Sequence, residues 1–151
     1  MGLLDIASYK SVWRGYEYFN DKNVITHIKQ SETEVRGMVR GSGQKHYDVL
    51  IDLAHPRKSK CNCPHADGKR IICKHMVALY FATFPDEAKR YYKEVMEYEE
   101  EEERRQEELQ HKVVNYIHKL KKSELEQTLL QVLFDGPEWQ YEKFIREYIE
   151  W

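Results

Sequence analysis

The chain of 151 residues has room for one domain of ordinary size and an appendage, which excludes a large multi-domain enzyme. Hydrophobic residues make up 41% of the sequence and charged residues 33%, enough for a modest core beneath a well-solvated surface. No apolar run approaches the roughly 20 residues that cross a bilayer, and the first residues lack the pattern of a secretory signal. We therefore expect a cytoplasmic protein that has no contact with a membrane.

The net charge of −2 hides an asymmetry along the chain. Residues 1–85 carry a net charge of +5 and residues 86–151 a net charge of −7. Beyond Pro85 no strand-forming segment occurs, and helix-forming residues dominate. The sequence therefore predicts two modules, a domain over residues 1–85 with its core motif at 45–84, and an acidic helical extension over 86–151. Such asymmetry is typical of a nucleic-acid-binding surface beside a solvated module.

Hydrophobic spacing predicts the elements of the first module in chain order. A short amphipathic helix is expected over residues 8–20, and we expect it to cover a sheet. Alternating or β-branched segments at 24–29, 33–40 and 45–53 predict three antiparallel strands, and 58–63 a possible fourth. A helix follows over about 73–82. The fold class is therefore α+β: a small antiparallel meander with a hairpin and helix, followed by the helical extension.

The extension contains an acidic run at 97–103 and, near its end, an aromatic stripe. The acidic run is more typical of a solvated helix than of a binding motif. The stripe fits the core of a small helical hairpin, and a partner surface is the alternative. Its residues are Trp139, Tyr141, Phe144, Tyr148 and Trp151.

The three cysteines and one histidine follow the pattern C-x-C-x9-C-x-H, formed by Cys61, Cys63, Cys73 and His75. Three thiolates and an imidazole make a complete tetrahedral set for zinc. Residues two apart on a strand share a face, so the first pair suits a strand. The same spacing diverges on a helix, so Cys73 is expected at or before the first turn of the following helix, with His75 inside it.

Two other histidines, His55 and His65, are possible substitutes for His75 as the fourth ligand. In either case four protein ligands leave no position for water or substrate. The sequence therefore predicts one structural zinc ion in each chain, bound by the hairpin and helix of a zinc-binding domain over residues 1–85.

At these residues the sequence resembles the SWIM-type zinc finger family. The matching elements are Cys61-Asn62-Cys63-Pro64 and Ile72-Cys73-Lys74-His75, with Gly15-Tyr16-Glu17-Tyr18-Phe19 and Gly41-Ser42-Gly43 upstream. The resemblance covers residues 11–84 and implies a ββα-like zinc module with roles in binding DNA or protein. Many family members lie inside larger proteins, whereas this chain adds only a helical tail, which favours an adaptor role.

Six cations surround the predicted metal site, and we expect them to share one surface that contacts a phosphate backbone. They are Arg57, Lys58, Lys60, Lys69, Arg70 and Lys74. A solvated basic loop that only keeps the finger in solution is the alternative. The predicted function is nucleic-acid binding with little sequence preference, to DNA rather than RNA. The alternative function is a protein adaptor that uses the helical tail and serves a nucleic-acid-processing complex.

Catalysis is not expected. His46, Asp48 and Asp52 could form an acid/base group, but the alternation of the third strand places them on its solvent face, without a nearby nucleophile or phosphate-binding loop. We therefore predict no enzymatic activity and no small-molecule substrate.

Overall fold

The computed structural model describes residues 2–150 and, within them, comprises six α-helices, one short 3₁₀-helix (Pro56–Lys58) and one four-stranded sheet. The helices are α1 (Leu3–Ile6), α2 (Tyr9–Asn20), α3 (Lys74–Thr83), α4 (Pro85–Lys119), α5 (Lys122–Asp135) and α6 (Glu138–Tyr148). The strands are β1 (Val24–Lys29), β2 (Glu34–Arg40), β3 (His46–Asp52) and β4 (Lys60–Cys61). The α+β prediction is confirmed, with helices and one antiparallel sheet.

The sheet is an antiparallel meander in the order β1-β2-β3-β4. β2 and β3 pair along their full length, from Glu34 opposite Asp52 to Arg40 opposite His46. β4 contributes only two residues, with Cys61 opposite Val49. Strict alternation of buried and exposed residues in β2 leaves one face of the sheet for the core and the other for solvent.

The core lies between the inner face of the sheet and α3. Val35 and Val39 of β2 and Val49 and Ile51 of β3 are fully buried there. α3 is apolar over most of its circumference, because it contacts β1, β2 and β3 on one side and α2 on the other. The expectation that α2 covers the sheet is therefore wrong. α3 covers the sheet, and α2 packs mainly on α3.

Gly15 explains how α2 and α3 approach so closely. A Cβ at this position would overlap the side chain of Val77 and lie 3.0 Å from the carbonyl oxygen of Lys74. We expect Gly15→Ala to destabilise the domain by about 1–3 kcal/mol, because overpacking outweighs the gain of about 1 kcal/mol in helix propensity. Urea unfolding monitored by circular dichroism measures the change. Lys10→Ala, at an exposed position of the same helix, should leave stability nearly unaltered; equal stability of both variants would contradict a close helix contact.

Aromatic rings join the start of α4 to α2 and α3. The Tyr16 ring stacks on Tyr92 at a centroid distance of 5.3 Å, and Phe81 meets Tyr91 at 5.5 Å. Burial is the main reason that the pKa of Tyr91 rises to about 12. Contacts between Cα atoms divide the chain between Met96 and Glu97, so the first turns of α4 belong with the domain that precedes them. The proposed module boundary after Pro85 stays a prediction.

The second unit, hereafter the tail (residues 97–150), contains the rest of α4 with α5 and α6. α5 and α6 contact each other, with the rings of Phe134 and Tyr141 5.9 Å apart. Of the predicted aromatic stripe, Trp139, Tyr141 and Tyr148 are exposed and Phe144 is half-buried; Trp151 lies outside the described residues. Among residues 2–150, no helix combines the length and hydropathy required of a membrane span.

Candidate metal centre and basic groove

The predicted ligands come from two elements and the connection between them. Cys61 ends β4, Cys73 is the N-cap of α3, and His75 lies in its first turn, as the i, i+2 argument required. Cys63 lies beyond the end of β4, so the expectation that one regular strand aims both cysteines is wrong. Instead the chain turns at Cys63, whose carbonyl oxygen accepts hydrogen bonds from the amides of Ala66 and Asp67.

The four potential ligand atoms lie within 4.8 Å of one another. Nδ1 of His75 is 3.8 Å from Sγ of Cys61 and 3.8 Å from Sγ of Cys73. A tetrahedral zinc ion with ordinary bond lengths separates sulfur and nitrogen ligands by about 3.6 Å. All four residues are buried, and all three cysteines are free thiols. The arrangement therefore has the size, the donor types and the shielding from water that a structural zinc ion requires.

Hydrogen bonding inside the cluster separates the acidities of two cysteines. A hydrogen bond between the sulfurs of Cys61 and Cys73 is the largest cause for both: it raises the pKa of Cys61 and lowers that of Cys73. Burial raises the pKa of Cys61 further, whereas His75 and the backbone N–H of Met76 lower that of Cys73. Of these two cysteines, the site thus favours the thiolate at Cys73 and the thiol at Cys61.

Comparison with known families agrees with this geometry. Residues 47–84 match the model of the SWIM zinc finger family. This segment is a SWIM zinc finger. The match starts in β3 and ends just after α3, so it contains all four clustered ligands, and the prediction of one zinc ion is confirmed. No curated protein and no solved structure matches the chain.

Aromatic rings hold the imidazole of His75. The ring of Tyr47 lies 4.7 Å from it and that of Tyr18 lies 5.4 Å away, measured between centroids. Within the described residues, Nε2 of His75 is buried without a hydrogen-bond partner, which leaves packing to orient the ring. The two other candidate histidines, His55 and His65, are exposed and lie outside the cluster, so the structure brings His75 and neither substitute to the sulfurs.

Two turns of the SWIM finger present cations on one side. The turn between β3 and β4 is fixed by Asp52, whose amide donates to Ser59 Oγ at 3.0 Å and whose carboxylate accepts from the His55 amide at 2.7 Å. The loop between the two ligand pairs, residues 64–72, has Ala66 buried against the domain. It turns at Gly68, whose positive φ of 67° favours glycine. The ligands therefore determine where this loop can lie.

These turns line a groove of about 1320 Å³ whose floor includes the solvent face of β2 and β3. Five of the six predicted cations line it: Arg57, Lys58, Lys60, Lys69 and Arg70. Lys74 does not. Its Nζ donates to the Tyr18 hydroxyl at 2.6 Å and lies 4.1 Å from the centre of that ring, so the expectation of one surface shared by all six cations is wrong for Lys74.

The groove also contains a cation that the sequence analysis did not include, Arg36 of β2. The alternation of buried and exposed residues along β2 puts Arg36 on the solvent face of the sheet. Only the order of the strands places that face beside the two basic turns. Four carboxylates line the groove as well: Glu34, Asp48, Asp52 and Asp67. None of the six lining cations forms an ion pair with a described residue within 4.0 Å, so their charges stay available to a ligand.

Proposed function

We propose that the SWIM finger binds the phosphate backbone of duplex DNA through this groove, with little preference for sequence. The observation that carries the proposal is the convergence of Arg36, Arg57, Lys58, Lys60, Lys69 and Arg70 on one open groove. Such a cluster neutralises several phosphates and releases their counterions. A zinc ion bound by ligands from both sides of the loop cross-links these parts of the chain and holds the loop beside β4. Lys69 and Arg70 lie on this loop.

The composition of the groove favours duplex over single-stranded nucleic acid. Proteins that bind single strands stack bases on aromatic side chains, and none of the described residues that line the groove is Phe, Tyr or Trp. Tyr18 and Tyr47 are instead packed against His75. A regular array of phosphates on a rigid duplex is therefore the better match for the cations.

Salt titration of DNA binding tests this function. Fluorescence anisotropy with a labelled duplex should show an affinity that falls steeply between about 50 and 200 mM salt. The triple variant Lys58→Glu/Lys60→Glu/Lys69→Glu should lower the slope of log affinity against log salt by about 3 and the affinity by about 100-fold. The same measurement with single-stranded DNA and duplex RNA of equal length shows which nucleic acid the chain binds most tightly.

A matched control separates the groove from general charge. Lys10→Glu/Lys45→Glu/Lys89→Glu alters the net charge equally at exposed positions of the same unit, outside the groove. This variant should lose far less affinity than the groove variant. Equal losses in both triple variants, or no binding of any nucleic acid by the wild-type chain at low salt, would rule out the proposed function.

We infer a non-enzymatic role for the same module. The residues considered as an acid/base group are separated along β3: His46 pairs opposite Arg40 at one end, and Asp52 opposite Glu34 at the other. The Asp52 carboxylate already accepts the amide of His55. The zinc ligands fill all four positions of a tetrahedral ion. A cluster of free thiols suits a reducing compartment, and we propose the cytoplasm.

A protein adaptor acting through the tail is the second candidate function. It is supported by the large exposed side chains of the tail, among them Leu130, Phe134 and Trp139. In this role, a different protein that belongs to a nucleic-acid-processing complex would bind the tail and cover these side chains. The adaptor function predicts that the chain alone is a monomer, which the sedimentation experiment below measures directly.

A further inference from the structure

The tail has almost no core of its own. Among its described residues only Leu133 is buried, although three helices contribute to it. Fourteen large apolar residues between positions 109 and 150 are exposed, hereafter the tail face. They are Leu109, Val113, Val114, Tyr116, Ile117, Leu125, Leu129, Leu130, Val132, Phe134, Trp139, Tyr141, Tyr148 and Ile149. Helices of this length hold their structure in water mainly by burying an apolar face, so the tail face requires a cover.

α5 shows the requirement most clearly. At 100° per residue, the apolar side chains of α5 span about 200° of the helix, from Val132 round to Phe134. One neighbouring helix covers an arc of only about 100°. Leu133 lies within this arc and is buried, while Leu130 and Phe134 at its far edge are 52% and 67% exposed, Phe134 despite the contact of its ring with Tyr141 of α6. The far edge is therefore left for a second contact.

The area of the tail face fits a stable interface. Its fourteen residues expose roughly 100 Å² each, or about 1,400 Å² together. An interface of standard size takes about 800 Å² from each of two equal copies, little more than half of the area that the tail face exposes. Stable, specific interfaces bury about 1,200–2,000 Å² in total.

Charge indicates a second copy of the same chain as the cover. Residues 109–150, which contain the tail face, carry a net charge of −1, whereas residues 97–108 carry −6. Two copies of a nearly neutral surface do not repel each other, and the acidic segment lies outside the tail face in sequence. A strongly acidic or basic partner would find no matching excess of charge on residues 109–150.

We propose that the tail face forms the interface of a homodimer, in which the same surface of each copy meets the other. Two-fold pairing is the commonest way in which identical chains close an apolar surface. Leu130 and Phe134 lie on the part of α5 that meets the partner copy. The dimer would carry two SWIM fingers on one assembly, which raises the avidity for a long nucleic acid without any further contact.

Sedimentation velocity of the zinc-loaded full chain tests the dimer. The wild-type chain of 18.2 kDa should sediment at twice that mass at about 50 µM and dissociate on dilution. Leu130→Glu/Phe134→Glu should weaken dimerisation by at least about 100-fold, because two charges per copy would be buried in an apolar interface. The control Gln106→Glu/Gln131→Glu adds the same charge at exposed polar positions, one on α4 outside the tail face and one on the polar side of α5, and should remain dimeric.

Hydrogen exchange of the wild-type chain keeps the test independent of how the variants fold. Amides of α5 should be protected at 50 µM and lose protection on dilution, in step with the dissociation seen by sedimentation. A wild-type chain that is monomeric at 100 µM overturns the proposal and favours a different protein as the cover. A dimer that persists in Leu130→Glu/Phe134→Glu overturns it too, because the interface then lies elsewhere.

Discussion

Cys61→Ser should lose zinc and unfold the SWIM finger. A hydroxyl is a poor ligand for zinc, and structural zinc contributes about 10 kcal/mol or more in small metal-dependent domains, which is comparable with the whole stability of a domain. Protection from hydrogen exchange should disappear over residues 45–84. Because α3 also contacts α2 and three strands, we expect the loss to extend to α2 and β2. Elemental analysis should give one zinc per wild-type chain and none in the variant.

Histidine variants provide the matched controls. His75→Ala should behave like Cys61→Ser, since His75 Nδ1 faces the sulfurs. His55→Ala and His65→Ala should keep one zinc per chain, because both side chains are exposed outside the cluster. A metal-free wild-type protein with unaltered hydrogen exchange would contradict the structural role of zinc.

Phe81→Ala should cost about 3–5 kcal/mol, the second largest effect that we expect. Phe81 is fully buried in α3, and its ring contacts those of Tyr16, Phe19 and Tyr91. The substitution therefore leaves a cavity where α2, α3 and the start of α4 meet. Calorimetry of the zinc-loaded chain should show the thermal midpoint of this unit fall by more than 10 °C, at about 4–8 °C per kcal/mol.

Tyr9→Ala is the control for this cavity. Tyr9 is also a large aromatic residue of a helix in the same unit, but it is 69% exposed at the start of α2. Its removal should change stability by less than about 0.5 kcal/mol. Similar midpoints for Phe81→Ala and Tyr9→Ala would show that the aromatic cluster does not stabilise the domain.

Local sequence signals placed most elements of the first unit correctly. β1 has the predicted bounds of 24–29, and α2, β2 and β3 differ from prediction by one residue at some ends. Alternation in β3 correctly gave Val49 and Ile51 to the core. These signals succeed because the periods of strand and helix are properties of neighbouring residues. The predicted fourth strand shrank to Lys60–Cys61, since the turn at Cys63 ends its pairing.

The identity of the metal ligands could also be predicted from sequence. Thiolate and imidazole are scarce and chemically specific, and their i, i+2 spacing at a helix start is restrictive, so Cys73 and His75 fell where expected. The sequence did not decide which of His75, His55 and His65 is the fourth ligand. This choice depends on which imidazole the packing of Tyr18 and Tyr47 directs to the sulfurs.

By itself the sequence determined the zinc chemistry, the strands and helices, and the concentration of positive charge before Pro85, because each depends on residue types and short-range spacing. Only the tertiary structure decided which cations share a groove. In the folded chain Arg36 of β2 lies beside the basic turns. Lys74 instead donates a hydrogen bond to Tyr18, although Lys74 is nearest the ligands in sequence. The tertiary structure also packed α2 on α3 rather than on the sheet. These results depend on which elements pack together, and contacts between distant residues leave no periodicity in the chain.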